Sequence, residues 1–488
     1  MSLNLEFSVA RTTLLVQESP DCKLVITNPG RDPVVLAPPV SNPDVPILRL
    51  TEIKTGIDTF QKGHPRHLGT DYVPLPGEKK IEHEFPLTSV AESLLPGEYE
   101  MVALVPYDMG LKRAESKPVK IKIHPVTPRG LALTSAHDGW SGASYGVSVN
   151  AASDPPQIVR HQFHIMTGGG VMDARAVADV HLRAAPALST TPNGKISHVH
   201  WIAWHDNGAL AALHFNPDTG SSPVIKWKSP EPEFVIVPPL ASEPMTDPVA
   251  RPPGAALLWV GDVARHLSQF QVIEFGADGK LVAGARCDAG TAKPTWMVNH
   301  FRPDGTRLVV YAQAAPTEAT TLQMRPWPKP GQAATAAKQL ASWPGHCLGG
   351  GTLMMANGDI RGATLVRSPR RDGAKLELVV WKISVDGNYT QLERRSLAWG
   401  FEQPVSQTVI RLGPSGLPAA VLADADGKWT YFNPDGEQQA LPPGLANTRY
   451  PLELTFLSEA QVVIIVGQMF QGFKIMLDDG EHLPHHGA

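Results

Sequence analysis

The chain has 488 residues, 42 % of them hydrophobic and 18 % charged, which is enough to bury a sizeable core and too apolar for a disordered chain. Its formal net charge is -4 with acidic and basic residues interspersed; no basic block marks a nucleic-acid binder. No apolar run approaches the ~20 residues that span a bilayer, so no membrane span is expected.

The opening "MSLNLEFSVARTT" lacks a basic segment followed by a long apolar one and is not read as a signal peptide. The compartment stays open, with an exported protein, periplasmic or extracellular, favoured over a cytoplasmic one. Residues 1–125 read as one all-β unit. "CKLVITNPGRDPVVL" (Cys22 to Leu36) is a strand, an Asn-Pro-Gly turn and a second strand. "KKIEHEFPL" alternates Ile81 and Phe85 with Glu82 and Glu84, the period-2 signature of a half-buried strand. "LLPGEYEMVALVPYD" sets a Pro-Gly turn before a β-prone run from Tyr99 to Val105, and "KPVKIKIHP" closes the unit. Short strands so spaced predict a sandwich. "LVITNPGRDPVVL" together with "LPGEYEMVAL" resembles bacterial immunoglobulin-like domains, which implies a bacterial source and a spacer or docking role for this quarter of the chain.

"HPVTPRG" (His124 to Gly130) reads as a linker, and beyond it the texture becomes repetitive. Turn words that would close an inner hairpin recur at Gly139, Gly194, Gly254, Gly305, Gly358, Gly416 and Glu459, spaced 43 to 60 residues apart. Within a unit the order is strand, turn, strand, turn: "TPNG" is followed by "KISHVHWIAWH", "DNG", "ALAALHF" and "NPDTG", and "GPSG" by "LPAAVLADA", "DG", "KWTYF" and "NPDG". Asn-Gly and Asp-Gly supply the positive φ of tight hairpins. A period of this length with several strands per unit predicts a propeller, and residues 126–488 resemble a β-propeller at the superfamily level. Seven units are counted, or six if the first is irregular. The fold class expected is therefore all-β, an immunoglobulin-like sandwich (1–125) followed by a seven-bladed β-propeller (126–488). Helix signals are few: "AATAAKQLAS" (Ala333 to Ser342) predicts a turn or two, and "DARAVADVHLRAA" (Asp173 to Ala185) fits a helix or an outer strand.

Four constellations bear on chemistry. His198 and His200, two apart on a predicted strand, share a face and have the spacing of a pair of metal ligands. They fall on a predicted second strand, packed between neighbouring sheets, so packing outweighs metal binding. "GASYG" around Ser144 matches a nucleophile elbow, but "VSVN" continues it as β rather than helix. "DADGKW" (Asp424 to Trp429) puts Lys428 and Trp429 where a calcium loop needs a ligand and a glycine. The runs Gly168 to Gly170 and Gly349 to Gly351 lack the Lys-Ser/Thr and helix of a phosphate loop, and read as sites of close backbone approach.

His346 and Cys347 begin a predicted inner strand, and Asn299 and His300 lie on another. His300, His346 and Asn299 are thus the first candidates for a ligand site at the channel mouth. Trp140 and Trp343, placed in loops, are candidate stacking platforms for a saccharide, whereas Trp227, Trp381 and Trp429 fall inside predicted strands. Three cysteines make no disulfide framework; one bridge, Cys287 to Cys347, stays open. The functional expectation is a non-catalytic binding or interaction protein with a protein or saccharide ligand. The alternative is an enzyme, a hydrolase or lyase acting on a small molecule or saccharide in the channel. No cofactor is expected for the first reading, and a divalent metal is admitted for the second.

Overall fold

A computed structural model describes residues 3–16, 18–36, 48–61, 73–87, 94–108, 111–126, 131–135, 143–164, 171–179, 187–193, 197–206, 209–215, 227–229, 231, 233–237, 255–262, 264–275, 281–290, 292–302, 306–315, 318–329, 331–333, 335–369, 375–400, 403–450, 452–458, 461–466 and 471–476. The chain divides into two compact units. One comprises Met1–Val126, Val149–His161 and Val171–Val180; the other comprises Thr127–Ser148, Gln162–Gly170 and His181–Ala488.

The first unit begins with eleven described strands: β1 (Asn4–Val9), β2 (Thr13–Leu15), β3 (Asp21–Thr27), β4 (Val34–Leu36), β5 (Leu48–Glu52), β6 (Asp58–Gln61), β7 (Val73–Leu75), β8 (Lys80–Pro86), β9 (Gly97–Tyr107), β10 (Lys112–Glu115) and β11 (Val119–His124). They form a three-stranded sheet, β1-β3-β8, and a larger one, β2-β11-β9-β4-β7, in which β10 and β5 also pair with β9 and β6 with β5. Leu5 and Ile26 of the smaller sheet share a core with Leu36, Leu75, Val105 and Tyr107 of the larger. The alternation read in the sequence is present: Ile121 and Ile123 of β11 are buried and the alternating Lys120 and Lys122 exposed. The Asn-Pro-Gly turn carries the chain from one sheet to the other. Asn28 holds it, its amide donating to Asp32 O at 2.8 Å and its Oδ1 accepting from the Gly30 N–H at 3.0 Å.

Seven further sheets follow in chain order. The first is β12 (Leu131–Ser135), β13 (Ala143–Asn150), β14 (Gln157–His164) and β15 (Val171–Asp179); the second is β16 (Ala187–Asn193), β17 (Ser197–Asp206), β18 (Ala209–Phe215) and β19 (Trp227–Ser229). The third is β20 (Glu233–Ile236), β21 (Ala255–Asp262), β22 (Leu267–Phe275) and β23 (Leu281–Asp288); the fourth is β24 (Trp296–Phe301), β25 (Arg307–Ala315), β26 (Ala319–Pro326) and β27 (Lys338–Pro344). The fifth is β28 (His346–Met354), β29 (Ile360–Arg367), β30 (Leu376–Ile383) and β31 (Tyr389–Ser396). The sixth is β32 (Gln407–Leu412), β33 (Pro418–Ala423), β34 (Trp429–Phe432) and β35 (Gln438–Gln439). After a short helix, α1 (Pro443–Ala446), come β36 (Leu452–Ser458), β37 (Gln461–Val466) and β38 (Gln471–Met476) of the seventh.

In each of these seven sheets the strands pair in sequence order. First strands meet one another, β12 with β16, β16 with β20, β24 with β28, β28 with β32 and β32 with β36, and β36 meets β12. This is the strand order and succession of propeller blades. The turn words named above all fall between the first and second strands of a sheet, so the punctuation reports the hairpins faithfully.

The fifth sheet is covered on both faces, which is why β30 reads as a continuous apolar run. Val379 and Trp381 of β30 face the fourth sheet, in a core with Trp296, Val298 and Leu322, while Leu378 and Leu376 face the sixth, in a core with Ile410, Leu422 and Phe432. Trp296 and Trp381 stack at 6.4 Å and 14°.

One local expectation needs correction. "AATAAKQLAS" is no helix: its second half is β27, because Leu340 and Ala341 are used to cover the fourth sheet's core. "DARAVADVHLRAA" begins as the outer strand β15. The open Cys287–Cys347 bridge is not made; Cys22, Cys287 and Cys347 are all free thiols and all buried.

Candidate binding site on the first strands

First strands have one edge unpaired within their own sheet, so their side chains and edges are what a ligand on the axis would meet. β24 alternates strictly. Trp296 and Val298 lie in the core shared with the fifth sheet and Met297 in the core shared with the third. Asn299 and His300, adjacent in sequence, therefore point to opposite neighbours. Asn299, 2 % exposed, donates from Nδ2 to Val237 O at 2.9 Å, and its Oδ1 accepts from Trp327 Nε1 at 2.8 Å. Its amide holds the third and fourth sheets together.

His300 is 1 % exposed, and its Nε2 lies 3.0 Å from Thr352 Oγ1 on β28. Burial pushes its pKa down to about 3, and the Arg302 charge pushes the same way. The imidazole is neutral at physiological pH and bridges two first strands. His346 is exposed at the start of β28, opposite Arg367. It lies six residues from Thr352, about 20 Å along a strand, so His300 and His346 do not converge.

Trp343 is on a strand and not in a loop. It belongs to β27, the outermost strand of the fourth sheet, and is 4 % exposed. Its Nε1 donates to Gln391 Oε1 at 3.3 Å and its ring tilts against Tyr389, so its face is occupied by the fifth sheet. Trp140 lies outside the described residues. His198 and His200 fall on β17, a second strand, opposite Pro192 and Thr190; their side chains are outside the described residues. Among the described residues no three His, Cys, Asp or Glu are grouped to hold a metal ion.

The remaining sequence features resolve into structure. Asp424 is consumed by its own hairpin: Oδ1 accepts the N–H groups of Asp426 and Lys428, and Oδ2 accepts from Gln403 Nε2. The glycines of β28 sit where no side chain fits. A Cβ on Gly350 would stand 2.3 Å from the Trp296 indole, and one on Gly351 would stand 2.4 Å from Ile410 O of β32.

Two first-strand residues escaped the sequence reading. Arg411 of β32 places Nη2 2.7 Å from Oε1 and 2.9 Å from Oε2 of Glu453 on β36. The Glu453 side chain is 6 % exposed and that of Arg411 33 %. Burial raises the Glu453 pKa, against the opposing pull of Arg411 and of the Leu454 N–H, which donates to Oε1 at 3.0 Å. The available signal was a single charge in each of two otherwise apolar or uncharged runs, "TVIRL" and "LELTF".

No family model and no curated protein matches the chain. Among solved structures it is similar to the β-propeller domain of Cps50 (Swd1) from Myceliophteria thermophila, at 7 % identity and TM-score 0.39, over 71 % of this chain and 95 % of that one. It is also similar to an oligogalacturonate lyase in complex with manganese, at 10 % identity and TM-score 0.35, over 71 % and 97 % of the two chains. A third is AofleA from Arthrobotrys oligospora, at 10 % identity and TM-score 0.36, over 81 % and 91 %.

Proposed function

We propose that the chain is a non-catalytic binding or interaction protein. Residues 126–488 are its seven-bladed β-propeller, which holds a protein or saccharide ligand at one mouth, and residues 1–125 are an immunoglobulin-like sandwich that spaces or docks it. One observation carries the reading. Val385 and Leu417, 44 % and 45 % exposed, sit in turns at the same end of the fifth and sixth sheets. Between them the Val385 N–H donates to Asp359 Oδ1 at 3.1 Å, Asp359 pairs with Lys382 Nζ at 2.6 Å, and the Gly416 turn lies against Arg361. Exposed aliphatic side chains rimmed by charge are the makings of a docking surface. The neutral, buried His300 and the buried, hydrogen-bonded Asn299 support the same reading, since both act as braces between sheets.

The enzyme reading has Glu453 in its favour, a carboxyl of raised pKa beside an arginine. Glycan and peptide arrays probed with the wild type and with a Val385→Asp/Leu417→Asp variant test the choice. A ligand bound by the wild type and lost by the variant supports the binding reading; a ligand that is chemically turned over replaces it with the enzyme.

A further inference from the structure

The seven first strands contain one lysine or arginine among them, Arg411, and two carboxylates, Glu233 and Glu453. The strands that meet β36 are β12, β32, β33 and β37, and their sequences add no ionisable residue besides Arg411. Among the described first strands Arg411 and Glu453 therefore form one pair of opposite charges. Such a pair gains little net stability over apolar side chains of the same volume, because both charges lose water. Holding β32 to β36 does not account for it.

The geometry of the pair is lopsided. Both Glu453 oxygens lie against one nitrogen, Nη2, and Nη1 gives a hydrogen bond to Ile410 O at 3.0 Å. The Arg411 Nε–H and the second Nη1 hydrogen have no partner among the described residues. The carboxylate is closed off while one third of the arginine side chain reaches solvent. A buried counter-charge thus fixes the guanidinium plane of a side chain that is partly open to solvent.

We propose that Arg411 is the ligand-anchoring residue of the first-strand layer and takes the carboxylate of a small organic acid or an acidic ligand group, with Glu453 as the positioning residue behind it. A guanidinium matches a planar carboxylate with paired donors, where an ammonium offers a point charge. This inference rests on the ring reading above and narrows its ligand.

Succinate titrated into the full chain at matched ionic strength, followed by calorimetry, tests it. The wild type is expected to bind saturably. An Arg411→Gln/Glu453→Gln variant, which removes both charges without leaving either unpaired, is expected to bind about tenfold or more weakly, the loss of one charge-assisted contact. Glu453→Gln alone keeps the cation but releases its hold on the guanidinium plane, so it is expected to bind more weakly than the wild type and more tightly than the double variant, an ordering a purely structural pair would not produce. Should the double variant fail to fold, Arg411→Lys retains the charge without the planar fork and is expected to bind more weakly. No saturable binding by the folded wild type overturns the inference, as does equal affinity in the double variant or in Arg411→Lys. Array ligands lost with Val385 and Leu417 in the absence of succinate binding overturn it alone and leave the proposed function standing.

Discussion

His300 Nε2 and Thr352 Oγ1 meet at 3.0 Å across the seam between the fourth and fifth sheets, both side chains almost wholly removed from water. His300 Nδ1 has no other partner among the described residues. The Thr352 hydroxyl is therefore the group that satisfies this ring. Thr352→Val keeps the shape and strands a buried imidazole, with an expected destabilisation of about 1–3 kcal/mol. Urea unfolding measures it, and a midpoint equal to that of the wild type would show that the contact carries nothing.

The same histidine makes stability depend on acid. Its folded pKa of about 3 lies below the ordinary value near 6.5. The unfolded chain binds the proton first, so the stability this group contributes is complete above the unfolded value and is lost as pH falls from there through about 3. His161, depressed in the same direction by burial, adds to the slope. His300→Gln is expected to lose less Tm than the wild type between neutral pH and about pH 4; parallel curves would refute the assignment.

Glycine substitutions are expected to separate by position. Gly351→Ala puts a methyl 2.4 Å from the Ile410 carbonyl, backbone that cannot swing aside, and is expected to cost about 1–3 kcal/mol. Gly444→Ala in α1 meets nothing within 4 Å and removes helical glycine entropy, with an expected gain of about 0.5 kcal/mol. Thermal unfolding of the two variants tests the contrast.

The three thiols are expected to be silent in the native protein. Burial pushes Cys22 and Cys347 up to about 12 and raises Cys287 as well, so little thiolate forms at any of them. A thiol-disulfide indicator should release no colour from folded protein and three equivalents in denaturant, one for each free cysteine. Fewer equivalents would reveal a bridge.

The repeat was legible because its turns are chemically obligatory. Asn-Gly and Asp-Gly mark hairpins by their φ values, and such words fall between successive strands of one sheet, as at Gly358, Gly427 and Gly436. The site was less legible because a side chain's neighbour on the next sheet has no fixed sequence offset. Asn299 and His300 drew attention by residue type, yet β alternation sends them to different seams. Trp343 looked like a loop residue because prolines flank its stretch, and it closes an outer strand instead. Arg411 and Glu453 lie 42 residues apart and become a pair only when two sheets are stacked.

Three successive residues of β28 have no side chain beyond hydrogen, so this strand cannot keep its shape by its own packing. Its order is borrowed from the Trp296 indole on one flank and the β32 backbone on the other. Peeling the sixth sheet away would let β28 fray as well. Deuterium uptake at the Gly349, Gly350 and Gly351 amides should therefore keep pace with β32, a strand of another sheet, and outrun that of β30 in their own sheet.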